Sequence, residues 1–79
     1  MGRDYYADAR ALGAALRDHG LPEWAQRIDA VIEAGATGTE ILMGLRWTLG
    51  QLMETERALP DDLALWASRV HRQIDRALS

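Results

Sequence analysis

Three breaks divide the 79-residue chain into four helix-length segments. At the first, Gly20 is followed by Leu21-Pro22; glycine closes a helix at its C-terminus, and proline at a first helical position gives up no hydrogen bond that the helix needs. The second is Gly35-Ala36-Thr37-Gly38-Thr39-Glu40. It reads as a glycine stop, a turn and a capping box, in which a threonine hydroxyl and a glutamate carboxylate satisfy each other's end-of-helix amides. The third, Leu59-Pro60-Asp61-Asp62, joins a proline restart to two acids that suit the positive end of a helix dipole. Breaks this compact leave connections of about two to four residues, which favour packing of consecutive helices as antiparallel neighbours.

Each segment carries helical periodicity. Over about residues 3–19, Tyr5, Ala9, Leu12, Leu16 and His19 recur at alternating spacings of four and three, on one stripe. Residues 22–34 place Trp24, Ile28, Val31 and Ile32 on an apolar arc. The third helix is expected over about 39–58, with Leu42, Leu45, Leu49 and Leu52 as its main row and Ile41 and Met53 beside it. The fourth, over 60–78, aligns Leu63, Trp66, Ala67, Val70, Ile74 and Ala77. The pattern predicts one all-α domain spanning 1–79, a compact four-helix bundle. Short connections are compatible with up-and-down packing and with large crossing angles alike. Gly44 and Gly50 lie inside the third helix, where each costs up to about 1 kcal/mol relative to alanine, so close packing is expected there.

Composition narrows the chemistry. With no cysteine, the fold rests on helix packing alone, and a zinc site would need histidines and carboxylates. The two histidines do not suggest one: His19 reads as a helix-end residue facing terminal carbonyls, and His71 as a partner for Asp75 four residues on. No metal or cofactor is expected. A chain this short buries only about two thirds of its unfolded surface, leaving little room for a deep site. No candidate nucleophile has a partnered base, and Ser68 and Ser79 are the only serines. Asp61 and Asp62 read as helix-start carboxylates, and the glycines of 35–40 lack the lysine and preceding strand of a phosphate loop. The chain therefore reads as a non-enzyme.

Net charge is −3, from 12 acidic residues against nine basic ones, all arginine. That balance disfavours unaided nucleic-acid binding and suits a basic protein partner. No stretch approaches the roughly 18 apolar residues of a membrane span, and Met1-Gly2-Arg3-Asp4-Tyr5 carries no apolar signal core. A cytoplasmic location without membrane association is the expectation.

One region carries more apolar surface than folding asks for. At 100° per residue, Met43, Trp47 and Gly50 lie well over 90° from the leucine row of the third helix. Glu40, Gln51, Glu54, Arg46 and Arg57 border them, giving an aromatic anchor inside a charged rim, as in protein-binding hot spots. Met43, Arg46 and Trp47, with Glu40 and Glu54, are the candidate partner-binding residues. Gly35, Thr37, Gly38 and Thr39 are assigned to the turn and cap. The competing reading has the third helix central and covered on both sides, so the burial of Trp47 decides between them.

Two other surfaces bear on function. Arg69, Arg72 and Arg76 share one side of the fourth helix and could meet phosphates or an acidic partner, but Asp75 interrupts them, and a solvated face is the simpler reading. Ile28 to Arg46 has the outline of a helix-turn-helix, with Thr39, Glu40, Met43, Arg46 and Trp47 in reading positions. That set holds a single arginine and a carboxylate, less positive charge than DNA recognition usually employs.

The run Gly-Ala-Thr-Gly-Thr-Glu-Ile-Leu-Met-x-Leu-Arg-Trp, from Gly35 to Trp47, resembles a pattern in a family of small bacterial all-helical proteins with no assigned activity. The run Leu21-Pro22-Glu23-Trp24 fits the same picture, and the likeness covers about residues 12–56. Proteins of this size and acidity also resemble immunity or antitoxin proteins, which neutralise a toxin by covering its active surface. The resemblance names a class of candidate, immunity-like or regulatory; joined to the off-row surface of the third helix, it gives the expectation of a non-catalytic protein-binding domain docking a partner such as a basic toxin through Met43, Arg46 and Trp47. The alternatives are a self-associating structural module that forms a homodimer through the same face and a helix-turn-helix DNA binder.

Overall fold

The computed structural model describes residues 4–79, which form an all-α four-helix bundle of α1 (Tyr5–Asp18), α2 (Pro22–Ala34), α3 (Gly38–Thr55) and α4 (Asp61–Leu78). The start expected for the first helix at residue 3 lies outside the described residues. Asp4 caps α1, its Oδ1 accepting from the Ala7 amide at 2.9 Å.

The end of α1 explains why Gly20 is glycine. Its φ is +91°, a left-handed conformation that side chains with a Cβ resist. The Gly20 amide donates to the Arg17 carbonyl at 3.0 Å and the Leu21 amide to the Leu16 carbonyl at 2.9 Å, the paired bonds of a Schellman ending. His19 is the C-cap, the helix-end place expected of it, but it is exposed, so the buried part of the stripe ends at Leu16.

The second break follows a different logic. Gly35 has an ordinary extended conformation, with φ −70° and ψ 133°, so backbone freedom does not require glycine there. Space does: a Cβ at Gly35 would overlap Ile41 Cγ1, which folds back from the first turn of α3. Thr37 is the N-cap, its Oγ1 accepting from the Glu40 amide at 3.1 Å. The helix therefore begins at Gly38, one residue before the expected start. Gly38 and Thr39 belong to its first turn, and the cap is Thr37 alone.

α3 ends at Thr55 instead of 58. Glu56 is its C-cap, donating its amide to the Leu52 carbonyl at 2.9 Å and accepting from Trp24 Nε1 through its carboxylate at 3.0 Å. The chain then has until Pro60 to reverse direction, and a residue before proline is sterically driven out of the helical region. Pro60 is the N-cap of α4, with Asp61 and Asp62 in the first turn.

Side-chain partners fix the direction of each helix. Arg10 pairs with Asp29, and Gly13 faces Ala25, so α1 and α2 run antiparallel. Along α2 and α3 the partners run from Gly35 with Ile41, through Val31 with Gly44, to Trp24 with Glu56. Arg46 with Asp75 and Gly50 with His71 set α3 against α4. Near the ring's closure, the end of α1 (Ala15, Asp18) shares a surface depression with the start of α4 (Asp62, Leu63). The order is up-down-up-down, which resolves the packing choice that loop length left open. α1 packs on α2 and α4, and α3 on the same two helices.

The core comprises Leu12 and Leu16 from α1, Trp24 and Ile28 from α2, Leu45, Leu49 and Leu52 from α3, and Leu63, Val70 and Ile74 from α4, among others. Leu42, expected in the main leucine row, is half-buried near the open end of α3, and Ala77, expected in the α4 stripe, is exposed while Leu78 packs inward. Thr48 is buried on the side of α3 toward α2, its hydroxyl donating to the Gly44 carbonyl at 2.8 Å. The two interior glycines of α3 differ. A Cβ on Gly44 would stand 2.7 Å from Val31 Cγ1, so α2 and α3 approach closely only because it is absent. At Gly50 the nearest atom is His71 Nε2 at 4.0 Å, and the close packing expected there does not occur.

That contrast yields a paired prediction. Gly50→Ala is expected to gain up to about 1 kcal/mol from helix propensity. Gly44→Ala is expected to lose about 1–3 kcal/mol, because the β-branched Val31 is stiff in a helix and the backbones must part. Chemical denaturation of both variants checks the opposite signs.

Candidate protein-docking site

The three tryptophans show how the fold distributes one residue type. Trp24, in the first turn of α2, is 3% exposed and donates its indole N–H to Glu56, while the Arg27 guanidinium stacks 4.6 Å from its ring centroid. It joins the start of α2 to the end of α3. Trp66 is half-buried and packs against the core from α4. Trp47 is 65% exposed, and Met43, one turn before it, is 50% exposed.

Helix geometry explains the exposure. Leu45, Leu49 and Leu52 turn one side of α3 inward, Gly44 and Thr48 face α2, and Arg46 and Gly50 face α4. Among the described residues, no element remains to cover the outward row, which runs Glu40, Met43, Trp47, Gln51, Glu54. The reading in which neighbouring helices cover α3 on both sides therefore fails at Met43 and Trp47, although it explains Gly44.

Trp47 stands on a ridge between two open depressions. Toward α4 lies one of about 470 Å³, lined by Met43, Arg46, Gly50, Gln51, Glu54 and His71 along with Trp47 itself. Toward α2 lies another of about 490 Å³, where Trp47 is joined by Arg27, Ala30, Val31, Gly44 and Thr48. Four of the five expected partner-binding residues, Met43, Arg46, Trp47 and Glu54, thus meet at one depression. Glu40 is exposed in the first turn of α3, outside it.

Arg46, expected at the charged border of this surface, is engaged by α4. Its guanidinium donates to Asp75 Oδ1 at 2.8 Å, across the α3–α4 seam. Both side chains keep much of their exposure, 38% and 57%, so the pair adds little stability and chiefly orients Arg46. It also displaces the expected pairing of His71 with Asp75: His71 lies instead over Gly50. With Asp75 held by Arg46, the carboxylate that interrupts the arginines of α4 in sequence is engaged elsewhere. Arg69, Arg72 and Arg76 are all exposed.

Sequence reasoning found the α3 residues beside Trp47 except Thr48, and it missed His71, Arg27, Ala30 and Val31 on the neighbouring helices. No signal within α3 could have named them, since their place depends on the register of α3 against its two neighbours. The helix-turn-helix outline also changes meaning. Helices of that motif cross at about 90–120°, whereas α2 stays against α3 from Gly35–Ile41 to Trp24–Glu56, as an antiparallel hairpin. Among the described residues, no three His, Asp or Glu side chains group as metal ligands, and no helix is long and apolar enough to cross a membrane. Comparison with protein-family models, curated proteins and solved structures finds no match.

The two tryptophans of the α2–α3 pair, one buried and one exposed, should separate cleanly under mutation. Trp24→Ala is expected to cost about 3–5 kcal/mol, from lost core volume and an unpartnered Glu56. Trp47→Ala should stay within about 0.5 kcal/mol of wild type, as a surface substitution. Thermal unfolding followed by circular dichroism measures both.

Proposed function

We propose that this protein is a non-catalytic binding domain that docks a protein partner through the outward face of α3. The observation that carries the reading is Trp47, 65% exposed on a ridge between two partly apolar depressions, with Met43 beside it and Glu40 and Glu54 at the ends of the row. An indole offers a large, rigid contact area at low entropic cost, and such anchors dominate binding when a partner excludes water around them. The carboxylates do a different task. Exposed charges contribute little affinity but steer encounter, so they would favour a basic partner and raise its association rate.

In this reading the chain acts in the cytoplasm as an immunity-like or regulatory protein, covering a basic surface of its partner such as that of a toxin. The helix-turn-helix alternative is weakened by the antiparallel α2–α3 hairpin and by the engagement of Arg46 with Asp75. Self-association through the same face is the stronger second reading.

The test is capture from the source cell with wild type and Trp47→Ala as paired baits. A specific protein retained by wild type and lost with the folded variant supports docking at α3. Equal capture by both baits, or loss of cooperative folding in Trp47→Ala, defeats it.

A further inference from the structure

The outward faces of α3 and α4 carry opposite charge. On α3 the exposed row is acidic and aromatic, with Glu40, Met43, Trp47 and Glu54. On α4 it is basic: Leu65, Arg69, Arg72 and Arg76 fall within about 60° of one another, opposite the buried Leu63, Val70 and Ile74. Leu65 is 64% exposed, and none of these three arginines takes part in an ion pair among the described residues. The two rows belong to adjacent helices, so one side of the bundle presents both signs.

The register between those helices is fixed. Arg46 meets Asp75, and one turn further along α3, Gly50 meets His71, one turn back along α4. Extending that register sets Arg72 level with Leu49 and Arg69 level with Leu52. Each arginine then lies two residues, about 3 Å along the axis, from the height of Trp47 and of Glu54 respectively.

A second copy can cover this side with two-fold symmetry in two ways. With the axis across the helices, α3 meets α3 antiparallel; centred on Trp47, this sets Glu40 of each copy against Glu54 of the other, and the arginines of α4 against one another. With the axis parallel to the helices, heights are preserved and α3 of each copy lies over α4 of the other. Only the second brings opposite charges together, and it closes as a dimer because each copy uses the same surface.

We propose that the α3–α4 side docks a second copy of this chain about a two-fold axis parallel to the helices, with Trp47 seated against Arg72 of the other copy and Glu54 against its Arg69. A guanidinium over an indole face is an attractive pairing, and it occurs here at the centre of the contact, where water is most excluded. The Glu54–Arg69 pairs lie nearer the rim and set the register. This rests on the second of the two readings of α3 as a docking surface, self-association, and gives it a geometry.

Analytical ultracentrifugation of the full chain and its variants at low and high salt tests it, with helicity by circular dichroism confirming that each is folded. A dimer is expected that weakens with salt. Glu54→Arg and Arg69→Glu should each raise its dissociation constant about tenfold or more, because like charges then face each other. The double variant should recover dimerisation. A concentration-independent monomer at low salt overturns the dimer while leaving capture at Trp47 to stand on its own result. Tighter association of Glu54→Arg overturns it also, since that is the signature of α3 against α3. So does a dimer indifferent to both reversals, which would place the contact elsewhere.

Discussion

The burial of the leucine row of α3 is the constraint on which the rest of the molecule depends. Leu45, Leu49 and Leu52 are fully enclosed, and they set the rotation of α3 within the ring. With that rotation fixed, 100° per residue leaves no freedom: Gly44 and Thr48 turn to α2, Arg46 and Gly50 to α4, and Trp47 to solvent. A helix with two neighbours covers about three of its four sides. The exposed indole is therefore a consequence of packing elsewhere, maintained because burying Trp47 would bring the leucines into water.

The seams on either side of α3 are built differently, and both matter for the exposed face. Toward α2, the missing Cβ of Gly44 lets Val31 approach, and Trp24 ties the far end through Glu56. Toward α4, the contact is polar at the surface, with Arg46 on Asp75 and His71 over Gly50. The first seam is held by shape and one part-buried hydrogen bond, the second by polar contacts, and an open depression of similar size lies on each side of Trp47. The exposed ridge of α3 thus has two flanks that differ in polarity.

Much of the fold was legible in the chain. Gly20, Pro22, Thr37 and Pro60 act locally, through φ preferences and capping bonds that need no tertiary partner, and four helices follow from them. The misplaced boundaries, at His19 and at the end of α3, arose where periodicity continued past the point at which the backbone turned. Gly50 was misread for a related reason: a helical glycine signals low propensity, but whether a neighbour fills its space depends on another helix.

The sequence by itself determined the helices, the single apolar row of α3 and the fact that Met43 and Trp47 lie off that row, because these depend only on helical period and local backbone chemistry. Tertiary structure decided whether anything covered them. It also decided that Asp75 would hold Arg46, that His71 would lie over Gly50, and that α2 would run back along α3 instead of crossing it. Those outcomes turn on the register and spacing of whole helices, set by the summed packing of the core, and no local pattern of residues encodes them.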